Sequence, residues 1–148
     1  IRLSLVGSEM CIRDSLINYR IIEKMSLPIL SAEGKSPQEI REEIETYAAV
    51  SDVIVDAMLG TGAVGAPREP YRSAIQAINE AGKLVAALDI PSGLNGDTGE
   101  AADATIHANV TVTFAATKKG FSNPAAQAYL GRVVVASIGI GMHWLRSE

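Results

Sequence analysis

Residues 52–62 read DVIVDAMLGTG, a short apolar and largely β-branched run that breaks directly into glycines. Such a run has no polar residue at alternate positions, so it predicts a strand over 52–59 buried on both faces, as strands of a parallel sheet are. Outward from it the pattern repeats. Residues 84–90 (LVAALDI), 109–116 (NVTVTFAA) and 132–138 (RVVVASI) predict three more strands. Between the first two, Pro70 opens a helix that turns Ala74, Ile75, Ile78 and Ala81 toward a core and closes at Gly82. Upstream, Ser36-Pro37-Gln38-Glu39 is a capping box that starts a helix over 37–49. Ile40, Ile44 and Tyr47 form its apolar face, and Glu39, Glu42, Glu43 and Glu45 its wet one. Residues 16–26 carry helical spacing, and a short strand is expected at Ile29–Ser31. Helix alternating with strand predicts a three-layer α/β domain around a mostly parallel sheet.

Composition narrows the classes. The 148 residues, 47% hydrophobic and 20% charged, suffice for one domain with a core. A net charge of −4 lacks the basic footprint of a nucleic-acid binder. No apolar run approaches the roughly 18–20 residues of a membrane span. The single cysteine, Cys11, excludes an internal disulfide and a cysteine-rich zinc site, which fits a soluble, reducing, cytoplasmic setting. The segment Ile1–Ser15 has neither the apolar stretch nor the cleavage site of a secretory signal and resembles translated adaptor sequence. It is expected to be non-native, with 16–148 a partial domain.

Open parallel sheets bind ligands beyond the carboxyl ends of their strands, so the loops after 52–59 and 84–90 are where chemistry is expected. The first, Gly60-Thr61-Gly62-Ala63-Val64-Gly65-Ala66, offers bare backbone amides to a phosphate or a ring. The second, Asp89-Ile90-Pro91-Ser92-Gly93, places a carboxylate at a strand tip and a hydroxyl after a rigid proline. Asp56 sits inside the first strand, where a buried carboxylate needs a partner: nearby backbone N–H groups or a cation. For Asp89 the plainer alternative is a turn cap. Oxygen ligands without thiolates or paired histidines favour an alkali or alkaline-earth ion.

Gly60, Gly62 and Gly65 also satisfy G-x-G-x-x-G after a strand, which keeps the NAD-binding domain of an oxidoreductase as an alternative. Against it, Ala66-Pro67-Arg68-Glu69-Pro70 delays the helix that must receive the pyrophosphate. His107 and His143 lack ligand spacing and read as surface residues; Lys118 and Lys119 read first as a solvated pair, with a phosphate contact at the same sheet edge as the alternative.

Four strings in register carry a resemblance: Val55–Gly62, Pro67-Arg68-Glu69-Pro70, Leu88–Asn95 with Asp97-Thr98-Gly99, and Thr111–Lys118. Together, over about residues 16–140, they resemble the NAD(P)H-hydrate epimerase family, the YjeF N-terminal domain. The resemblance implies a Rossmann-like fold, usually a homodimer, that interconverts the R and S forms of hydrated NADH or NADPH, NAD(P)HX, so that a dehydratase partner can restore the cofactor. It further implies that Asp56 and Ser92 bind potassium, that Gly60 through Ala66 hold the hydrated nucleotide, and that Asp89 contacts it. Asp89 is expected to be the acid–base group, a role that a pKa displaced toward neutrality would suit, a displacement that sequence cannot show. The family's earlier asparagine- and glycine-rich loop has no counterpart here. Missing first strands, an apolar edge on the 52–59 strand and feeble turnover are therefore expected. Relatives of this kind also serve as non-catalytic nucleotide-binding or scaffold domains, a second alternative.

Overall fold

The computed structural model describes residues 9–63 and 65–139, with side chains described from Leu16 onward. Four strands, β1 (Val53–Asp56), β2 (Leu84–Leu88), β3 (Val110–Phe114) and β4 (Arg132–Ala136), form one parallel sheet in chain order. The helices are α1 (Glu9–Lys24), α2 (Pro37–Ala49), α3 (Tyr71–Glu80) and α4 (Gln127–Leu130). Two 3-10 turns, Lys119–Ser122 and Pro124–Ala126, lead into α4. The four strands expected over 52–59, 84–90, 109–116 and 132–138 form but stop short of their apolar runs, because the last residues of 52–59 and 84–90 leave the ladder to build loops.

The local chemistry behaves as the residues dictate. Ser36 accepts the Glu39 N–H at 3.3 Å, and the Glu39 carboxylate accepts the Ser36 N–H at 2.8 Å, closing the capping box at the start of α2. That helix buries Ile40, Ile44 and Ala48, a strict fourth-residue stripe. Tyr47, expected on the same face, lies one step off the stripe and is exposed. Gly82 closes α3 with φ +64. Two expectations change. Helix α1 begins at Glu9, so it runs through the boundary placed at residue 15. Residues 29–31 form no strand, only a bridge position at Ser31, and do not join the described sheet.

Strands that follow chain order with right-handed crossovers put every connection on one face. Accordingly, α2 and α3 pack with Val85, Ala87 and Ile106 in one core cluster, and Ile90, Phe121 and Leu130 with Val133 in a second. On alternate positions of the same strands, Val53, Val55 and Leu84 are 49%, 55% and 59% exposed. Val53 and Val55 share a groove with Leu16, Tyr19 and Ile22 of α1. The parallel sheet with its helices is the expected α/β architecture, and β1 lies at an edge of the described sheet.

The β2–β3 junction depends on Asn109. Its Oδ1 accepts the Val85 N–H at 2.7 Å, while its own N–H donates to Val85 O at 2.8 Å and its carbonyl accepts from Arg132 N–H at 2.9 Å. Asn109→Ala strands the N–H of buried Val85, and urea unfolding should show a loss of about 1–3 kcal/mol. An unchanged midpoint would show that water replaces the side chain there.

Candidate active site

Asp56 ends β1 and is 1% exposed, as is Ser92 in the loop after β2. The parallel register Asp56↔Ala87 brings the two strand tips side by side, and the turn 89–92 folds Ser92 back onto the carboxylate. Ser92 donates twice, from its N–H to Oδ2 at 2.8 Å and from its hydroxyl to Oδ1 at 2.7 Å. Met58 N–H adds a longer bond to Oδ1 at 3.3 Å, and the Ser92 hydroxyl accepts the Leu59 N–H at 2.9 Å. Burial pushes the Asp56 carboxyl above its ordinary value, and the Ser92 and Met58 donors only partly offset this. Every one of these partners is neutral. A buried carboxylate beside a hydroxyl, with no cationic side chain bonded to it, is a donor set that suits a hard monovalent cation.

Asp89 lies at the tip of β2 and takes a left-handed backbone, φ +66, with the Ile90 N–H closing a three-residue turn onto Leu88 O at 2.9 Å. The tip of β3 repeats the device. Ala115 has φ +63, and Ala116 N–H donates to Phe114 O at 2.8 Å. Turns of this hand are rare and strained outside glycine, and two on neighbouring strands mark the sheet end where side chains are being aimed. The Asp89 Oδ1 accepts from Lys118 Nζ at 2.6 Å, Phe114 N–H at 3.1 Å and the Thr113 hydroxyl at 3.2 Å. Burial raises its pKa, but the Lys118, Phe114 and Thr113 donors outweigh that and hold the carboxyl below its ordinary value. The direction is away from neutrality: an adjacent ammonium and two further donors stabilise the anion.

The glycine loop runs past both tips. Gly60, Gly62 and Gly65 have open space where a side chain would stand, and Gly65 has φ +83. With Thr61, Ala63 and Ala66 they line a groove of about 1470 Å³ that also receives Met58 and Asp89 and passes along the exposed edge of β1. Val64 lies outside the described residues. Gly65 is in the loop, not in α3, which starts only at Tyr71, so the pyrophosphate-on-helix geometry of an NAD-binding fingerprint is not formed. On the far side of Thr61, a cavity of about 150 Å³ is lined by Asn95, Gly96, Asp97, Lys118 and Lys119. Gly120 N–H donates to Gly96 O at 2.7 Å, and any side chain on Gly120 would collide with the Asn95–Gly99 backbone. That close approach fixes the Lys118 loop against the β2 loop.

The structure thus brings Asp56, Ser92, Asp89 and the described part of Gly60–Ala66 to one sheet end. Lys118, expected in solvent, belongs with them. The signal was available: β2 and β3 pair in parallel, so residues just beyond 114 must end beside Asp89. His107 is exposed and stacks on Tyr129 at 4.7 Å, while Cys11 and His143 carry no described side chain. No cluster of three His, Cys, Asp or Glu exists among the described residues, so a transition-metal centre has no ligand set there.

Comparison with known proteins agrees with this geometry. Residues 2–120 match the family described as YjeF-related protein N-terminus. The chain is 40% identical over 127 residues to the NAD(P)H-hydrate epimerase of Pirellula staleyi, covering 86% of this chain and 55% of that protein. It is 52% identical over 121 residues to the bifunctional NAD(P)H-hydrate repair enzyme Nnr of Hyperthermus butylicus, covering 82% of this chain and 21% of that one. The chain therefore spans about half the length of the first relative and a fifth of the second. The crystal structure of yeast ynu0 shares the fold with a TM-score of 0.60 at 18% identity, covering 88% of this chain and 50% of the yeast chain.

The two carboxylates have opposite pH signatures. With Asp56 raised, its contribution to stability is fully present below the unfolded value and is lost as pH rises through the folded one. With Asp89 lowered, its contribution is present above the unfolded value and is lost as pH falls through the folded one. In potassium-free buffer, acidification from neutral pH toward the ordinary carboxyl value of 3.8 should add stability through Asp56, read as a rise in thermal midpoint. Asp56→Asn should remove that rise and Asp89→Asn should leave it. An identical slope in all three proteins contradicts the assignment.

Proposed function

The chain belongs to the YjeF-related N-terminal family, and from that membership we propose that it epimerises hydrated NADH and NADPH, NAD(P)HX, in nicotinamide cofactor repair. The observation that carries the reading is the meeting of Asp56, Ser92, Asp89 and the glycine loop at one sheet end. The names of the relatives, an NAD(P)H-hydrate epimerase and a bifunctional repair enzyme, supply the substrate class.

In this reading the nucleotide lies in the groove against Gly60–Ala66, where open backbone amides meet it without steric hindrance. Asp56 and the Ser92 hydroxyl hold a potassium ion, which would neutralise the buried carboxylate and offer a positive charge to the bound substrate. Asp89, held as an anion, takes the proton from the hydroxyl on the hydrated carbon as the bond from that carbon to the ring nitrogen breaks, so that the carbon becomes a carbonyl and the nitrogen keeps the electron pair. That pair re-adds to the opposite face of the carbonyl, and the same carboxyl returns the proton to the oxygen. Nothing is oxidised or reduced, and the proton lost is the proton regained. A homodimer, a dehydratase that consumes one epimer and a cytoplasmic location complete the proposal. The dehydratase is supported by the bifunctional names of the relatives.

The test is an equilibrating mixture of hydrated NADH epimers, depleted of one form and followed by chromatography as it recovers. The chain with potassium should speed recovery above the buffer rate, and Asp89→Asn should remove about 10²–10⁴-fold of that acceleration. Recovery no faster than buffer, or unaltered in Asp89→Asn, contradicts the proposal. Potassium should also raise the thermal midpoint of the chain more than sodium does, and Asp56→Ala should erase the difference. Equal effects of the two ions in both proteins would count against a potassium site.

A further inference from the structure

All the hydrogen bonds that described residues make to the Asp89 carboxylate end on one oxygen, Oδ1. Its second oxygen takes none of them, and Asp89 lines the groove beside the glycine loop. The donors are unequal. Thr113 and Phe114 belong to β3, and their bonds of 3.2 and 3.1 Å are long, whereas the Lys118 bond is 2.6 Å and the only charged one. The Lys118 ammonium reaches Oδ1 from the side of the smaller cavity, whose wall it shares with Thr61 and Gly96. Thr61 Cγ2 and Lys118 Cβ both flank Gly96, and the lysine side chain is mostly buried. Its side chain is 21% exposed and that of Asp89 24%, which leaves the pair partly desolvated.

We propose that Lys118 is a positioning residue for Asp89: its ammonium grips one carboxylate oxygen from behind, so that the other is presented to the groove in a fixed orientation and ionised. The proposal rests on the epimerase reading for its chemistry, and on the one-sided clamp for its geometry. A carboxylate held by a single oxygen cannot rotate about Cβ–Cγ without breaking its charged bond, so the reacting oxygen keeps one direction. The other charged groups at this end are Lys119 and Asp97, which line the smaller cavity. Neither is bonded to Asp89. Lys118 is the one ammonium paired with it among the described residues.

Two variants of the full chain test this. Lys118→Met keeps the stem and removes the charge, and Lys118→Arg keeps the charge. The titration of the Asp89 carboxyl carbon, followed by NMR with circular dichroism confirming the fold, should move up by about one pH unit or more in Lys118→Met and return in Lys118→Arg. Epimerisation should lose about tenfold or more in kcat with KM moving less, and the arginine variant should restore most of it. An unmoved Asp89 titration in Lys118→Met overturns the clamp whether or not the chain turns over quickly. A moved titration with unchanged kcat overturns the positioning role. Failure of the epimerase reading is read elsewhere, as unaltered turnover in Asp89→Asn.

Discussion

A carboxylate buried to 1% at the end of β1 is the constraint from which the rest follows. Asp56 cannot stay charged there without donors, and the two strongest come from one residue, Ser92, through its backbone and its hydroxyl. To deliver both, the chain after β2 must double back within four residues. The left-handed turn at Asp89 and the Pro91-Ser92 corner achieve this. Meeting the needs of one buried charge therefore shapes the loop that carries the second. The Leu59 N–H bond to Ser92 extends the knot to the start of the glycine loop, so three functional segments share one hydrogen-bonded centre.

The two carboxylates at this sheet end are kept in different electrical states by their surroundings. Asp56 meets only neutral donors in a dry position and is pushed up, while Asp89 meets an ammonium at the edge of a groove and is held down. Environments that separate two like groups divide their labour. One lacks a counter-charge, and the other already has one in Lys118. The left-handed turns at Asp89 and Ala115 aim both partners of the Asp89–Lys118 pair, and the glycine contact between the 96 and 120 segments holds the second in reach.

Much of this was legible in the residues. The β-branched runs and the Ser36 box announced the strands and α2, because each depends on near neighbours alone. The delayed helix after Pro67 and Pro70 correctly spoke against an NAD fingerprint. Asp56 was legible as an anomaly, a charge inside an apolar strand. What was not legible depended on contacts distant in the chain. The Asp89 titration was not legible because its controlling charge, Lys118, arrives from beyond another strand, and for the same reason Lys118 read first as half of a solvated pair. The exposure of Tyr47, Val53, Val55 and Leu84 likewise follows from what packs against them, not from their own character. Parallel order would have resolved Lys118, since the tips of adjacent parallel strands lie at the same end of a sheet.

The central claim is that the knot between Asp56 and Ser92 is a seat for a monovalent cation. Crystals of this chain grown with rubidium in place of potassium, and measured at the rubidium absorption edge, test it most directly. The account predicts an anomalous peak in coordination distance of an Asp56 oxygen and the Ser92 hydroxyl, absent from crystals of Asp56→Ala. A well-ordered Asp56–Ser92 pair with no such peak, or a peak that survives Asp56→Ala, would contradict it.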